Sequence, residues 1–166
     1  RMPEVDPARM GVVGHSYGGK WALFAMALSE RFAAGAWSDP GIVWDEARPN
    51  VNYWEPWYLG WEGAGFEARG APSGTRPRVG AYRDLVAGGH DLHELMACMA
   101  PRPFLVSGGS EDPPERRVAL DAVGEVYRLF GQGEAIRFTT RPGHEPTPES
   151  NEALYTFFLE TLGRRP

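Results

Sequence analysis

One serine, one histidine and a few carboxylates in this 166-residue chain have the types and order needed for nucleophilic catalysis. A Gly-x-Ser-x-Gly motif centred on Ser16 lies between the apolar run 10–13 and the Ala- and Leu-rich stretch 20–30. This context is typical of a nucleophile elbow, a tight turn whose flanking glycines avoid steric collisions and which lifts the serine hydroxyl clear of a sheet. The N–H of Tyr17 is the predicted oxyanion donor. The alternative is a turn whose serine only caps a helix.

A serine hydroxyl becomes nucleophilic when a base takes its proton and a carboxylate orients that base. His144 follows the last predicted strand, as the base does when the chain order is serine, acid, histidine. We therefore predict that His144 is the base. For the remaining histidines we predict surface or structural roles; they are His15, inside the elbow, and His90 and His93, on a predicted helix.

The acid has three candidates. Asp112 lies in the loop after the predicted strand 103–107, which is the common position, and it is the predicted acid. Asp39, after the predicted strand 32–37, and Glu111 are the alternatives. These loops follow the carboxyl ends of strands, where open α/β sheets form their crevice. A carboxylate that is not used as the acid is expected to be a structural cap or an anion at a helix terminus.

The pattern of apolar runs and turns predicts the elements that hold these residues. Apolar runs predict strands at 10–13, 32–37, 103–107 and 135–139, and helices at 20–30, 90–99, 114–130 and 150–162. Strands that alternate with helices predict an α/β domain with a mostly parallel sheet and helices on both faces. The length suits one domain.

Residues 41–89 interrupt this pattern as a long aromatic-rich insertion with many Pro and Gly and, we predict, little regular structure. Its aromatic residues are expected either to pin the loop or, for one or two of them, to stack on sugar rings. They are Trp44, Tyr53, Trp54, Trp57, Tyr58 and Trp61, and Trp57 is our candidate substrate contact. Lys20, one helical turn after Ser16, is predicted either to bind a sugar hydroxyl or carboxylate or to satisfy loop carbonyls.

Composition excludes several functions. The net charge of −5, without basic clusters, argues against binding to nucleic acid or to a membrane surface. The longest apolar stretch, 21–28, is far too short to span a membrane. The single cysteine excludes an internal disulfide and a multi-cysteine metal site. No metal or organic cofactor is predicted.

Two segments carry a family resemblance. The sequence G-H-S-Y-G-G-K at 14–20 resembles the G-x-S-x-x-G-K elbow of glucuronoyl esterases and related xylan-esterase-like hydrolases. The sequences D-L-H-E-L at 91–95 and A-P-R-P at 100–103 resemble that group's D-x-H-x-L helix and the A-P-R-P before its acid loop. The position of Asp39 also matches an acid found in some of these esterases.

The resemblance implies the C-terminal part of an α/β-hydrolase fold, here residues 1–166, and a serine esterase acting on small-molecule or polysaccharide esters. Glucuronoyl esterases usually have Arg directly after the nucleophile, where this chain has Tyr17. The elbow is also similar to that of prolyl-oligopeptidase-like peptidases, so a serine peptidase is one alternative. The other is an inactive hydrolase-like fragment that binds carbohydrate through the insertion.

The resemblance also implies N-terminal strands and a second oxyanion donor that would precede this segment. We therefore expect the 166 residues by themselves to fold and turn over poorly. An export signal upstream would place the protein outside the cytoplasm, in the periplasm or extracellular space. The sequence leaves the localisation and the oligomeric state open.

Overall fold

The computed structural model describes residues 5–46, 77–78 and 80–163. Within these residues the chain forms a parallel sheet of four strands in the order β1-β2-β3-β4. The strands are β1 (Met10–His15), β2 (Phe32–Ser38), β3 (Phe104–Gly108) and β4 (Ile136–Thr140). Because all four run in the same direction, His15, Ser38, Gly108 and Thr140 end at one edge. The predicted α/β fold with a parallel sheet is confirmed.

Helices connect the strands. They are α1 (Tyr17–Leu28), α2 (Gly80–Ala87), α3 (Leu92–Ala97), α4 (Asp121–Leu129) and α5 (Pro148–Leu162), with short 3₁₀ turns at Pro114–Leu120 and Gly133–Ala135. The predicted helix 114–130 therefore begins as a 3₁₀ segment. None of the described helices is long and apolar enough to cross a membrane.

The prediction of little regular structure across 41–89 is wrong at its C-terminal end, where α2 lies. The helix has eight residues, and its buried positions are Gly80 and Tyr82. A helix of only eight residues with one large buried side chain is too short to show a recognisable apolar period in the sequence. The structure does not describe most of the insertion, including Tyr53, Trp54, Trp57, Tyr58 and Trp61.

The chain divides into two compact units, Arg1–Ile42 with His93–Pro166, and Val43–Leu92. In the second unit the Glu46 carboxylate accepts two hydrogen bonds from the Arg78 guanidinium, both 2.5 Å long. It accepts a third, of 2.6 Å, from the Tyr82 hydroxyl. The Trp44 ring meets the Tyr82 ring edge-on. These contacts hold together the chain on either side of residues 47–76.

The core of the first unit lies on both faces of the central strands. The small side chains Ala34 and Ala36 of β2, together with Leu105 of β3, pack against Phe157 of α5. On the opposite face a Cβ on Gly35 would overlap Met26 of α1. Small residues in β2 therefore let α1 and α5 approach the sheet closely.

Arg102, from the A-P-R-P sequence, holds the amino ends of the strands. Its guanidinium donates to the carbonyls of Met26, Ser29 and Phe32 at 2.7–3.0 Å. The first two are carbonyls at the C-terminal end of α1, which the helix itself leaves without N–H partners. One side chain thus ties α1 to the start of β2.

Candidate active site

Ser16 sits in a strained turn between β1 and α1. Its φ of 56° and ψ of −121° are values that a residue with a side chain seldom adopts. The turn is fixed by its backbone, because the Ser16 N–H donates to the Ser38 carbonyl at 2.8 Å and the Ser16 carbonyl accepts from the Lys20 N–H at 3.0 Å. Although Ser16 occupies the N-cap position of α1, its side chain makes no capping hydrogen bond there. This geometry favours an elbow over a simple helix cap.

The glycines of the motif have different roles. A Cβ on Gly14 would overlap the carbonyl of Gly18, so the turn requires glycine at position 14. At Gly18 no atom of the described residues lies within 4 Å of such a Cβ. The prediction that a side chain at 18 would also collide is therefore wrong as far as the described residues are concerned. Gly19 is the second crowded position, because a Cβ there would lie 3.1 Å from the Pro40 side chain.

The structure brings His144 to Asp39. His144 Nδ1 lies 2.7 Å from Asp39 Oδ2. Asp39 is fully buried, and its carboxylate also accepts backbone N–H hydrogen bonds at 2.7–3.2 Å from Gly109, Glu111 and Asp112. These bonds fix the carboxylate firmly. Asp39 is also the other non-glycine residue with a positive φ, at 51°, among the described residues.

Asp112, the acid predicted from the sequence, makes different contacts. Its carboxylate is fully buried and accepts from the N–H groups of Gly41 at 2.8 Å and Ile42 at 2.6 Å. Burial raises the pKa of Asp112 to about 6, against the opposing effects of these N–H groups and of Lys20. The geometry places Asp39 beside His144 and Asp112 beside the backbone N–H groups of Gly41 and Ile42. Glu111 contributes its backbone N–H to Asp39.

Lys20 is buried at the bottom of this site. Its ammonium group donates to the Gly41 carbonyl, and its positive charge lowers the pKa of Asp112. Of the two predicted roles, these contacts favour the structural one, in which Lys20 satisfies a loop carbonyl. Tyr17, the predicted oxyanion donor, is the first residue of α1. Trp57, the candidate substrate contact, lies outside the described residues.

The sequence predicts an ordinary structural or surface role for His15, yet its ring lies against His144. The ring centroids are 4.6 Å apart and tilted by 43°. His15 Nδ1 lies 3.2 Å from both the carbonyl and the hydroxyl oxygen of Ser38. Burial lowers the pKa of His15, and the neighbouring His144 lowers it further. The position directly before Ser16, at the end of a strand, was the available signal.

A second residue that the sequence did not single out is Arg141, which follows β4 directly. Its buried guanidinium donates to carbonyl oxygens of His144 and Glu145 and to the ends of β2 and β3. The parts of the chain that the structure describes contain no group of three or more His, Cys, Asp or Glu side chains placed to hold a metal ion.

The chain is similar to a family model in sequence and to solved proteins in structure. The prolyl oligopeptidase family model matches residues 2–73. No curated protein sequence matches the chain significantly. A carbohydrate esterase family 15 glucuronoyl esterase from Caldicellulosiruptor kristjansonii is 27% identical, with a TM-score of 0.67 over 99% of this chain and 46% of that one.

Two other similar solved structures are also glucuronoyl esterases. A family 15 glucuronoyl esterase from Teredinibacter turnerae is 26% identical, with a TM-score of 0.62 over 96% of this chain and 42% of that one. A variant of the Sporotrichum thermophile glucuronoyl esterase, solved in complex with methyl 4-O-methyl-β-D-glucopyranuronate, is 18% identical, with a TM-score of 0.65 over 97% and 45%. The chain spans less than half the length of each structure. It thus has an α/β-hydrolase fold, and the resemblance to glucuronoyl esterases indicated by its motifs is confirmed.

Proposed function

We propose that this chain carries the catalytic residues of a serine carboxylic-ester hydrolase, with Ser16 as nucleophile, His144 as base and Asp39 as acid. The observation that carries the proposal is the 2.7 Å hydrogen bond between His144 Nδ1 and the buried Asp39 carboxylate. This hydrogen bond lies at the sheet edge that also carries Ser16 in its strained turn. The Ser16 N–H donates a hydrogen bond to the carbonyl of Ser38, the residue before Asp39.

The mechanism follows from these roles. The Ser16 hydroxyl attacks the acyl carbon while His144 Nε2 takes its proton, and the same proton then passes to the leaving alcohol. Asp39 holds the proton on Nδ1 and stabilises the imidazolium that forms. Water repeats the sequence on the acyl-enzyme. The Tyr17 N–H, at the first turn of α1, supports the negative charge on the carbonyl oxygen.

An ester joined to a carbohydrate is the proposed substrate class. The structural neighbours at 26% and 27% identity are glucuronoyl esterases, and a more distant one was solved with the methyl ester of a glucuronate. Tyr17 takes the position of the family's usual Arg, so we do not propose glucuronate specifically as the substrate. Trp57 remains the proposed sugar-stacking residue, and the burial of Lys20 favours a structural role for it over contact with the substrate.

A serine peptidase is the second candidate, because the prolyl oligopeptidase model covers the elbow and residues up to 73. Peptide and ester hydrolysis use the same nucleophile, base and acid. Substrate preference therefore separates the two candidates, while the triad does not.

The test is a matched assay of the protein at its full natural length and of its Ser16→Ala variant, because the 166 residues by themselves are expected to turn over poorly. The substrates are a glucuronate methyl ester, acetylated xylan and a prolyl anilide, and a fluorophosphonate probe is mapped by mass spectrometry. We expect the probe on Ser16 and hydrolysis of an ester that Ser16→Ala abolishes. Cleavage of the anilide alone would favour the peptidase. Absence of probe from Ser16, with xylan binding retained in Ser16→Ala, would favour the inactive carbohydrate-binding alternative.

A further inference from the structure

The Arg141 guanidinium occupies the space where the ends of two strands meet. One terminal nitrogen donates to the carbonyls of Ser107 at 2.9 Å and Gly108 at 3.2 Å, and to the Ser107 hydroxyl at 3.3 Å. The other donates to the Ser38 hydroxyl at 3.1 Å. Ser38 directly precedes Asp39 in the chain. The guanidinium is thereby fixed to β2 and β3.

The same side chain grips the loop that carries the base. Its Nε donates to the Glu145 carbonyl at 2.8 Å, and a terminal nitrogen donates to the carbonyl of His144 itself. The loop also lies tightly against Gly109, the residue after β3, because a Cβ on Gly109 would overlap the Gly143 carbonyl. A planar guanidinium with five N–H groups in fixed directions can span all these acceptors, and a lysine ammonium cannot.

The buried charge has its counter-charges nearby. Arg141 is 8% exposed, and burial lowers the pKa of its guanidinium against the opposing effects of the Asp39, Glu145 and Asp112 carboxylates. A buried cation that faces mainly carbonyl oxygens is costly unless such charges compensate it. The arrangement therefore couples Arg141 to Asp39 by charge and to His144 by hydrogen bonds.

We propose that Arg141 is a positioning residue, which fixes the His144 loop to the ends of β2 and β3 and so keeps His144 Nδ1 on Asp39. The inference rests on the proposed function, in which His144 is the base. It assigns Arg141 no contact with substrate.

The experiment compares Arg141→Lys with Arg102→Lys. Arg102 is a matched control, since its guanidinium also donates to several carbonyls but lies at the amino ends of the strands. The readouts are melting temperature, kcat and KM on an ester, and the low-field proton resonance of His144 Nδ1–H, assigned with His144→Gln. Because a displacement of about 1 Å costs about 100-fold in rate, we expect Arg141→Lys to lower kcat by about that factor, with KM little changed and the resonance lost. Arg102→Lys should lower the melting temperature but keep kcat and the resonance.

Further outcomes also decide the question. An Arg141→Lys variant that keeps kcat and the Nδ1–H resonance overturns the inference, as does a loss of kcat in both variants in proportion to their melting temperatures. If Arg141→Lys does not fold, Ser38→Ala removes one acceptor and keeps the backbone acceptors; reduced kcat with a weakened resonance supports the inference, and unchanged values overturn it. If the wild-type protein hydrolyses no ester, the proposed function fails while the resonance in these variants still tests Arg141.

Discussion

Replacing Asp39 with Asn should reverse the direction of the hydrogen bond that orients His144, so that residue 39 becomes the donor and His144 the acceptor. Asp39 Oδ1 accepts the N–H groups of Gly109, Glu111 and Asp112 at 2.7, 3.0 and 2.8 Å. These three donors require an oxygen at that position, so the new amide nitrogen must face His144. An amide N–H cannot accept a hydrogen bond, so His144 would have to accept on Nδ1 and carry its proton on Nε2. That nitrogen must be free of its proton to act as the base toward Ser16.

We expect Asp39→Asn to lower kcat by about 10⁴, the size of effect that the wrong histidine tautomer produces in serine hydrolases. At about 1.36 kcal/mol for each factor of ten, this loss is about 5.4 kcal/mol of transition-state stabilisation. The fold should survive, because the amide oxygen keeps its three backbone donors. Single-turnover ester hydrolysis, together with thermal denaturation, measures both effects.

Asp112→Asn is the matched control, since its carboxylate contacts Gly41 and Ile42. Its amide nitrogen would face one of these N–H donors, so a hydrogen bond is lost, which costs about 1–3 kcal/mol of stability. The rate of the folded variant should stay close to that of the wild type. If Asp112→Asn abolished turnover and Asp39→Asn left it intact, the assignment of the acid would be refuted.

Three further predictions concern pH and the elbow. Burial raises the folded-state pKa of Asp112 to about 6, so the folded chain binds more protons than the unfolded chain between about pH 4 and 6. Its contribution to stability should therefore fall as pH rises through this window, and calorimetry of Asp112→Asn should show that dependence removed. Burial is the main cause that lowers the folded-state pKa of His15, so the free energy of unfolding should fall as pH drops below about 6.5. Urea titrations of His15→Gln should show a smaller fall over the same pH range. Gly14→Ala should lose about 1–3 kcal/mol of stability through overpacking, whereas Gly18→Ala should fold normally; equal effects in denaturation would contradict the elbow geometry.

Much of the fold could be predicted from local sequence. The predicted strand 32–37 and the observed Phe32–Ser38 differ by one residue, because buried parallel strands give uninterrupted apolar runs. The tight turn at Ser16 is predictable in the same way, since Gly14 and the strand and helix beside it are local features. Ser16 and His144 both follow predicted strands, and the structure places both after the carboxyl ends of strands.

The choice of acid could not be made in the same way. Asp39 and Asp112 both follow strand ends, and which carboxylate faces His144 depends on how two loops fold around each other. Arg141 gives no comparable signal, because four of the six acceptors of its guanidinium are backbone carbonyls, which leave no mark in the sequence. Contacts of this kind become visible only in three dimensions.

The loop after β2 and the loop after β3 stabilise each other, because each has a buried carboxylate that accepts hydrogen bonds from the backbone of the other. Asp39 accepts the N–H groups of 109, 111 and 112, while Asp112 accepts those of 41 and 42, so each side chain organises the backbone of the opposite loop. Shortening or lengthening one segment would strip the other of its acceptor, and a single compensating substitution could not restore it. Engineering of this region should therefore transplant both segments as a pair, because each supplies the carboxylate that accepts the backbone N–H groups of the other.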